Sequence, residues 1–226
     1  MMKRHLSIAT GLLLALSLCV TALAGILWAL GTSQEIMLPM MRHFAPSEAT
    51  RLPDGEYPAM VHIITRYLAG ETSEFQYRYI ADGELIEAFQ PHEQQHMADC
   101  RALFRLDRKV LYAGAILSAA LLAVAFGLNR RRVWKGCAIG LGAVMAMVAA
   151  IAAMAVVDFG RLFILFHQIS FSNDLWLLDP RTDLLIRLMP TSFFTTYAAI
   201  LGVSWLLIMT LMLLGALILT KRGKKA

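Results

Sequence analysis

VLYAGAILSAALLAVAFGL at Val110–Leu128 is followed by NRRRVWK at 129–135 and by GCAIGLGAVMAMVAAIAAMAVV at 136–157. Each apolar run has about the 20 residues needed to cross a hydrocarbon core. Two such runs joined by a short loop carrying Arg130, Arg131, Arg132 and Lys135 read as a pair of membrane-spanning helices. Outward from this hairpin lie two more runs of the same kind, roughly Leu6–Gly31 and Phe193–Thr220, and none of the four contains an acidic residue. The 58% hydrophobic content agrees with a chain built for lipid.

Charge fixes the orientation. Lys3, Arg4, the 129–135 cluster, Lys221, Arg222, Lys224 and Lys225 all flank the runs on one side, with no acidic residue among them. All 16 Asp and Glu residues fall in the other two loops, 32–109 and 158–192. The positive-inside rule then places both termini and the 129–135 loop in the cytoplasm. The formal charge of +5 is made of short juxtamembrane clusters, which suit anionic lipid rather than nucleic acid.

The predicted fold is an all-α membrane protein with four transmembrane helices and a small extracytoplasmic α+β domain inserted between the first and second. Its parts are a first transmembrane helix (1–31), the extracytoplasmic domain (32–109) and the second and third helices with their basic loop (110–157). An extracytoplasmic interfacial segment (158–192) precedes the fourth helix and basic tail (193–226). Met1-Met2-Lys3-Arg4 with Ala22-Leu23-Ala24 also resembles a signal peptide. The apolar run continues through Trp28 and Leu30, too long for a signal core, so an uncleaved helix is expected. Cys19, Cys100 and Cys137 form no disulfide framework and read as small apolar side chains.

The 32–109 loop is too long to lack structure. Tyr57–Ala69 has helical periodicity with Gly70 as its C-cap, and Glu74–Ile80 and Leu85–Phe89 about Asp82-Gly83 predict a hairpin. Pro91 opens a helix that runs into the second span. In the second outer loop, Phe159–Phe171 is apolar but short, as in an interfacial or re-entrant helix. Asp179-Pro180 predicts a helix start that Pro190 ends.

Polar groups gather in two places. His92-Glu93-Gln94-Gln95-His96 has the form HExxH, which on a helix aligns two imidazoles for zinc with a glutamate base. A membrane zinc peptidase is one reading, although Pro91 leaves His92 in the first turn and a third ligand is needed. The other place is Phe166-His167 through Trp176, a polar interruption of an aromatic run. His96 and His167, with Asp99 and Asp174 nearby, could move protons without a metal. Asn173 and Asp174 also suit a turn and Trp176 an interfacial anchor, while Arg161 could meet negative charge or snorkel. A non-enzymatic lipid- or partner-binding subunit is the third reading.

His96-Met97-Ala98-Asp99, together with Phe166-His167…Phe171-Ser172-Asn173-Asp174-Leu175-Trp176-Leu177-Leu178-Asp179-Pro180…Asp183-Leu184-Leu185-Ile186…Pro190…Phe193-Phe194, resembles the lipoprotein intramolecular transacylase family of bacterial membrane proteins. The pattern spans nearly the whole chain, and its second block is the more specific. The chain departs from it at Cys100, where members usually carry valine. The resemblance implies transfer of the sn-2 acyl chain of an S-diacylglyceryl-cysteine lipoprotein to its own α-amine, giving an N-acyl S-monoacylglyceryl (lyso-form) lipoprotein. It implies diacylated bacterial lipoproteins and membrane lipid as partners, no cofactor, no metal, and a site on the extracytoplasmic face of the cytoplasmic membrane. His96 and His167 become the catalytic pair, with Asp99, Asn173, Asp174, Arg161 and Trp176 supporting. His96 oriented by Asp99 would be the base and His167 the donor, or the reverse, with Asn173 and Arg161 as candidates for the oxyanion.

Overall fold

The computed structural model describes residues 2–81 and 83–222; Asp82 of the expected turn and Lys224 and Lys225 of the basic tail lie outside the described residues. The elements in chain order are α1 (Met2–Thr32), α2 (Gln34–Phe44), α3 (Ser47–Thr50), α4 (Tyr57–Ala69), β1 (Arg78–Ala81), β2 (Glu84–Glu87) and α5 (Pro91–Phe126). Next come α6 (Arg130–Val157), α7 (Phe159–Ser170), α8 (Leu184–Leu188) and α9 (Thr191–Arg222). Among the described residues α1, α5, α6 and α9 are long and apolar enough to cross a membrane. The α+β character expected of the insertion reduces to one two-stranded antiparallel sheet amid helices.

The chain divides into two compact units. One takes the described residues of Met1–Ile26, Arg108–Val157 and Ile200–Ala226, and the other Leu27–Asp107 and Asp158–Ala199. In the first unit the helices meet through small residues. A Cβ on Gly11 would lie 2.0 Å from the Val133 carbonyl oxygen, and one on Gly136 2.4 Å from that of Ile8, so α1 and α6 approach backbone to backbone. Polar atoms here are few and paired: the Ser17 hydroxyl donates to the Gly114 carbonyl at 3.0 Å and lies 2.8 Å from that of Ser118. The Trp205 indole N–H donates to the Cys19 carbonyl at 2.9 Å. The predicted 129–135 loop is shorter than expected. Asn129 accepts the Arg132 N–H through its side chain, and this cap draws the basic residues into the first turns of α6.

The second unit is built around a core of Met37 and Met41 (α2), Tyr57, Met60 and Ile64 (α4), Phe75 and Phe89 (flanking the hairpin), Met97 (α5) and Leu184 and Leu188 (α8). Burying each such side chain contributes about 1.5–3 kcal/mol. Helix α4 has the predicted bounds, and Gly70 ends it with a φ of +80°. The hairpin pairs Arg78 with Glu87 and Tyr79 with Ile86, is shorter than expected, and leans on the core through Phe75 stacked on Phe89. Helix α2, capped by the Ser33 hydroxyl, was not anticipated. The helix expected from Asp179-Pro180 begins only at Leu184. Asp179 fails as its cap because its carboxylate is taken by the Arg181 N–H and guanidinium. Asp183 carries the turn instead, accepting the Asp179 N–H at 2.8 Å.

Candidate active site

Helix α5 is 36 residues long, about 54 Å at 1.5 Å per residue, against a hydrocarbon core of about 30 Å. Asp99, Arg101, Arg105, Asp107, Arg108 and Lys109 confine its apolar part to Val110 onward, so its first turns belong with the 32–109 segment. Pro91 occupies the first helical position, where a missing N–H costs nothing. Glu93 is fully buried there. One of its oxygens accepts the Gln90 N–H at 2.7 Å and the other accepts the Leu185 N–H at 2.7 Å. A single carboxylate thus closes the first turn of α5 and the first turn of α8. His92 bonds the Asp183 carboxylate through Nε2 at 2.9 Å. The HExxH segment is therefore a structural junction, and Glu93 has neither the exposure nor the free oxygen to act as base on a water. Among the described residues no group of three or more His, Cys, Asp or Glu could hold a metal ion.

His96 lies one turn further along α5 and is 7% exposed. Its Nε2 is 3.6 Å from the Cys100 Sγ, and its Nδ1 is buried without a hydrogen-bond partner among the described residues. His167 comes from the last turn of α7, a helix started by the Asp158 carboxylate accepting the Arg161 N–H at 3.0 Å. It too is 7% exposed. The Nδ1 of His167 is 2.7 Å from the Phe163 carbonyl one turn earlier. A carbonyl can only accept, so Nδ1 carries the proton and the neutral ring keeps its lone pair on Nε2.

The two imidazoles lie in ring contact, centroids 6.2 Å apart and planes at 30°. Aromatic rings surround them: Phe163 at 4.2 Å, Trp176 at 5.0 Å and Phe171 at 5.6 Å from His167, with Phe171 edge-on to His96 at 5.1 Å. This wall removes water and so disfavours the charged form of each ring. Burial, then the neighbouring His167, pushes His96 down to about 4 against the opposing charge of Asp99. Burial also lowers His167, opposed by its bond to Phe163. At neutral pH the site holds two uncharged imidazoles, each able to accept or give a proton.

The supporting residues divide. Asn173 donates from Nδ2 to the Asp99 carboxylate at 2.9 Å and turns its own loop by accepting the Leu175 N–H at 3.0 Å. Asp99 is therefore engaged with the 171–178 loop, and His96 lacks the carboxylate bond expected for it. Trp176 packs on His167. Asp174 is exposed and contributes its backbone carbonyl to the turn, accepting from Leu177 at 3.0 Å. The Arg161 side chain is 90% exposed and pairs with Asp158 at 3.5 Å, outside the aromatic enclosure. Sequence reasoning missed the Phe163 carbonyl, although the i, i+4 spacing of Phe163 and His167 on a short helix was a usable signal. It also missed that Cys100 stands one turn from His96 on the same face.

Four candidate spans around an enclosed pair of imidazoles define a membrane-integral helical protein with two titratable side chains held together out of water. The family model of the lipoprotein intramolecular transacylase Lit matches residues 11–194, and the chain belongs to that family. It is thus an acyl-transferring enzyme of lipoproteins, integral to a membrane. The fold matches an in meso structure of the membrane integral lipoprotein intramolecular transacylase Lit from Bacillus cereus with a TM-score of 0.79 and 18% identity, covering 98% of this chain and 99% of that one. A second structure of that protein, carrying a histidine-to-arginine mutation, matches with a TM-score of 0.74 and 18% identity over 98% of this chain and 95% of that one. At this identity the likeness concerns the fold. No curated protein matches the chain significantly.

Proposed function

We propose that the chain moves the sn-2 acyl group of an S-diacylglyceryl-cysteine lipoprotein to the α-amine of the same cysteine, leaving an N-acyl S-monoacylglyceryl lipoprotein. The observation that carries this reading is the enclosed His96–His167 pair, with His167 held by the Phe163 carbonyl so that its Nε2 lone pair is free. Amine and ester belong to one molecule, and attack closes an eight-membered ring through cysteine, sulfur and glycerol. Folding the substrate into that ring contributes up to about 7–11 kcal/mol through proximity.

The hydrogen bonds support the following roles. His167 Nε2 takes a proton from the attacking amine. His96 donates to the carbonyl oxygen as charge develops there, and a proton reaches the glycerol oxygen as the ester C–O bond breaks. This reverses the assignment that made His96 the base, because Asp99, its expected orienter, is bonded to Asn173. Asn173 and Asp99 would hold the 171–178 loop over the pair, and Trp176 would shape the acyl-side wall. Asp174 and Arg161 would act outside the reacting atoms. Exchanging an ester for an amide is downhill and requires no cofactor.

The charge bias places both termini in the cytoplasm of a bacterial cell and the histidines on the outer face, with 32–109 and 158–192 as the extracytoplasmic parts between the spans. The exposed apolar residues of α7, Ile164, Leu165, Phe166 and Ile169, support an interfacial position beside diacylated substrate.

The test is mass spectrometry of a reporter lipoprotein's N-terminal peptide from cells with and without the protein. The expected shift is from the diacylglyceryl form to the N-acyl monoacyl form, and an unchanged peptide would sink the reading. His92→Ala separates this enzyme from a zinc peptidase, since it should keep acyl transfer.

A further inference from the structure

We propose that Cys100 is a positioning residue for acyl transfer: its thiol, donating to His96 Nε2, fixes His96 in the tautomer that carries its proton on Nδ1. The inference rests on the reading above, in which His167 is the base and His96 the hydrogen-bond donor. Cys100 stands one helical turn beyond His96 on α5, with Sγ 3.6 Å from Nε2. The other nitrogen of the same ring is buried and unpartnered among the described residues. A side chain that is 7% exposed with an idle nitrogen requires an explanation, because an unsatisfied buried polar atom is costly.

A neutral imidazole carries one N–H, so two arrangements compete. In one, Nε2–H points at sulfur, a poor acceptor, and Nδ1 offers only a lone pair. His167 already offers a lone pair on Nε2, since its Nδ1–H is committed to Phe163. Two lone pairs would then face the reacting groups with nothing to donate to an oxyanion. In the other arrangement the thiol donates to Nε2, and the idle Nδ1 carries a hydrogen toward the substrate carbonyl. The sulfur has a proton to give. Burial, reinforced by Asp99, pushes the Cys100 thiol up to about 12, so it is a neutral donor and not a thiolate nucleophile. The pair is thereby preset in complementary tautomers, one by a backbone carbonyl and the other by a thiol. No bond to sulfur forms or breaks.

The experiment uses the full-length protein in lipid nanodiscs with 15N-labelled histidine rings. His96 signals are assigned by their loss in His96→Asn, and turnover of a synthetic diacylglyceryl lipopeptide is followed in parallel. In the unmutated protein His96 should show a protonated Nδ1 and an unprotonated Nε2. Cys100→Val, which removes the S–H, should move both signals toward a tautomer mixture. Because a neutral hydrogen bond is worth about 0.5–1.5 kcal/mol, it should also lower kcat roughly two- to tenfold with KM little changed. Cys100→Ser, which keeps a donor, should retain both properties. A protonated Nε2 in the unmutated protein overturns the proposal, and so does a Cys100→Val protein with unaltered ring signals and kcat. If Cys100→Val folds poorly, the tautomer of the unmutated protein and the Cys100→Ser rescue still decide. Absence of turnover by the unmutated enzyme rejects the acyl-transfer reading instead, whatever the tautomer.

Discussion

The two units draw on different contacts. In the unit containing most of the long helices, backbones touch through Gly11 and Gly136 while Ile116, Val203 and Leu211 stay exposed on the outside. Apolar side chains gain nothing by hiding from lipid, so close packing of small residues does the joining. In the other unit large side chains go inward, Tyr57, Met60 and Phe193 among them, and buried polar groups cross-link the elements. Glu93 ties α5 to α8, and Arg187 ties α8 to the Thr50 carbonyl at 3.0 Å. In the first unit an atom added at Gly11 or Gly136 runs into backbone. The other depends on named atoms.

That contrast can be broken most severely at the histidines. His167→Ala and His96→Ala should each reduce acyl transfer by about 10²–10⁴-fold, the usual worth of a positioned acid or base. Membrane expression and melting temperature should hold, as read by fluorescence-detected chromatography and thermal unfolding in detergent. A variant of either residue that remains active removes it from the chemistry.

Glu93→Ala comes next, because it orphans the Gln90 and Leu185 N–H groups inside a buried junction. The expected cost is about 2–5 kcal/mol of stability, seen as a lower melting temperature, with hydrogen exchange rising around residues 184–188. Gly136→Val should cost about 1–3 kcal/mol through overpacking against Ile8. Its exchange should rise in α1 and α6 and leave 184–188 quiet. If both variants disturb the same segments, the two units are not energetically separate.

The smallest effect is that of pH. His167 has a folded-state pKa lowered by burial, so the unfolded chain binds more protons in the interval below the ordinary value of about 6.5. Stability therefore falls as pH drops below about 6.5 and is insensitive to this group above it. His167, the proposed base, stays neutral to lower pH than a free imidazole, so the acid limb of kcat/KM should lie below about 6.5. An acid limb above that value would show a histidine that is solvated or paired with an anion.

Sequence alone carried the spans, because length and composition suffice where lipid is the solvent. It carried α4 with its Gly70 cap, because periodicity and a left-handed glycine are local facts. Asp179-Pro180 misled because a cap is decided by competition, and Arg181 and Asp183 lie too close in the chain to be ignored. HExxH, weighed only as an alternative, has a distant competitor instead, since the Leu185 N–H far along the chain claims Glu93. The meeting of His96 with His167 is a contact between residues 71 positions apart, and no spacing rule could supply it. Resemblance named the two residues, and their contact needed the folded chain. The reach of Asp99 to Asn173, on which the proposed reversal of base and donor rests, needed the folded chain.

The bond from His167 to Phe163 lies within a single helical turn of α7. A base whose orienting partner sits four residues away keeps its aim through any motion that leaves that turn intact. Which nitrogen of His167 holds the lone pair is therefore set without help from loop 171–178 or from α5. The loop bears on the other ring's side of the site instead, through the Asn173–Asp99 bond. Substitutions in the loop should therefore leave the tautomer of His167 as it is.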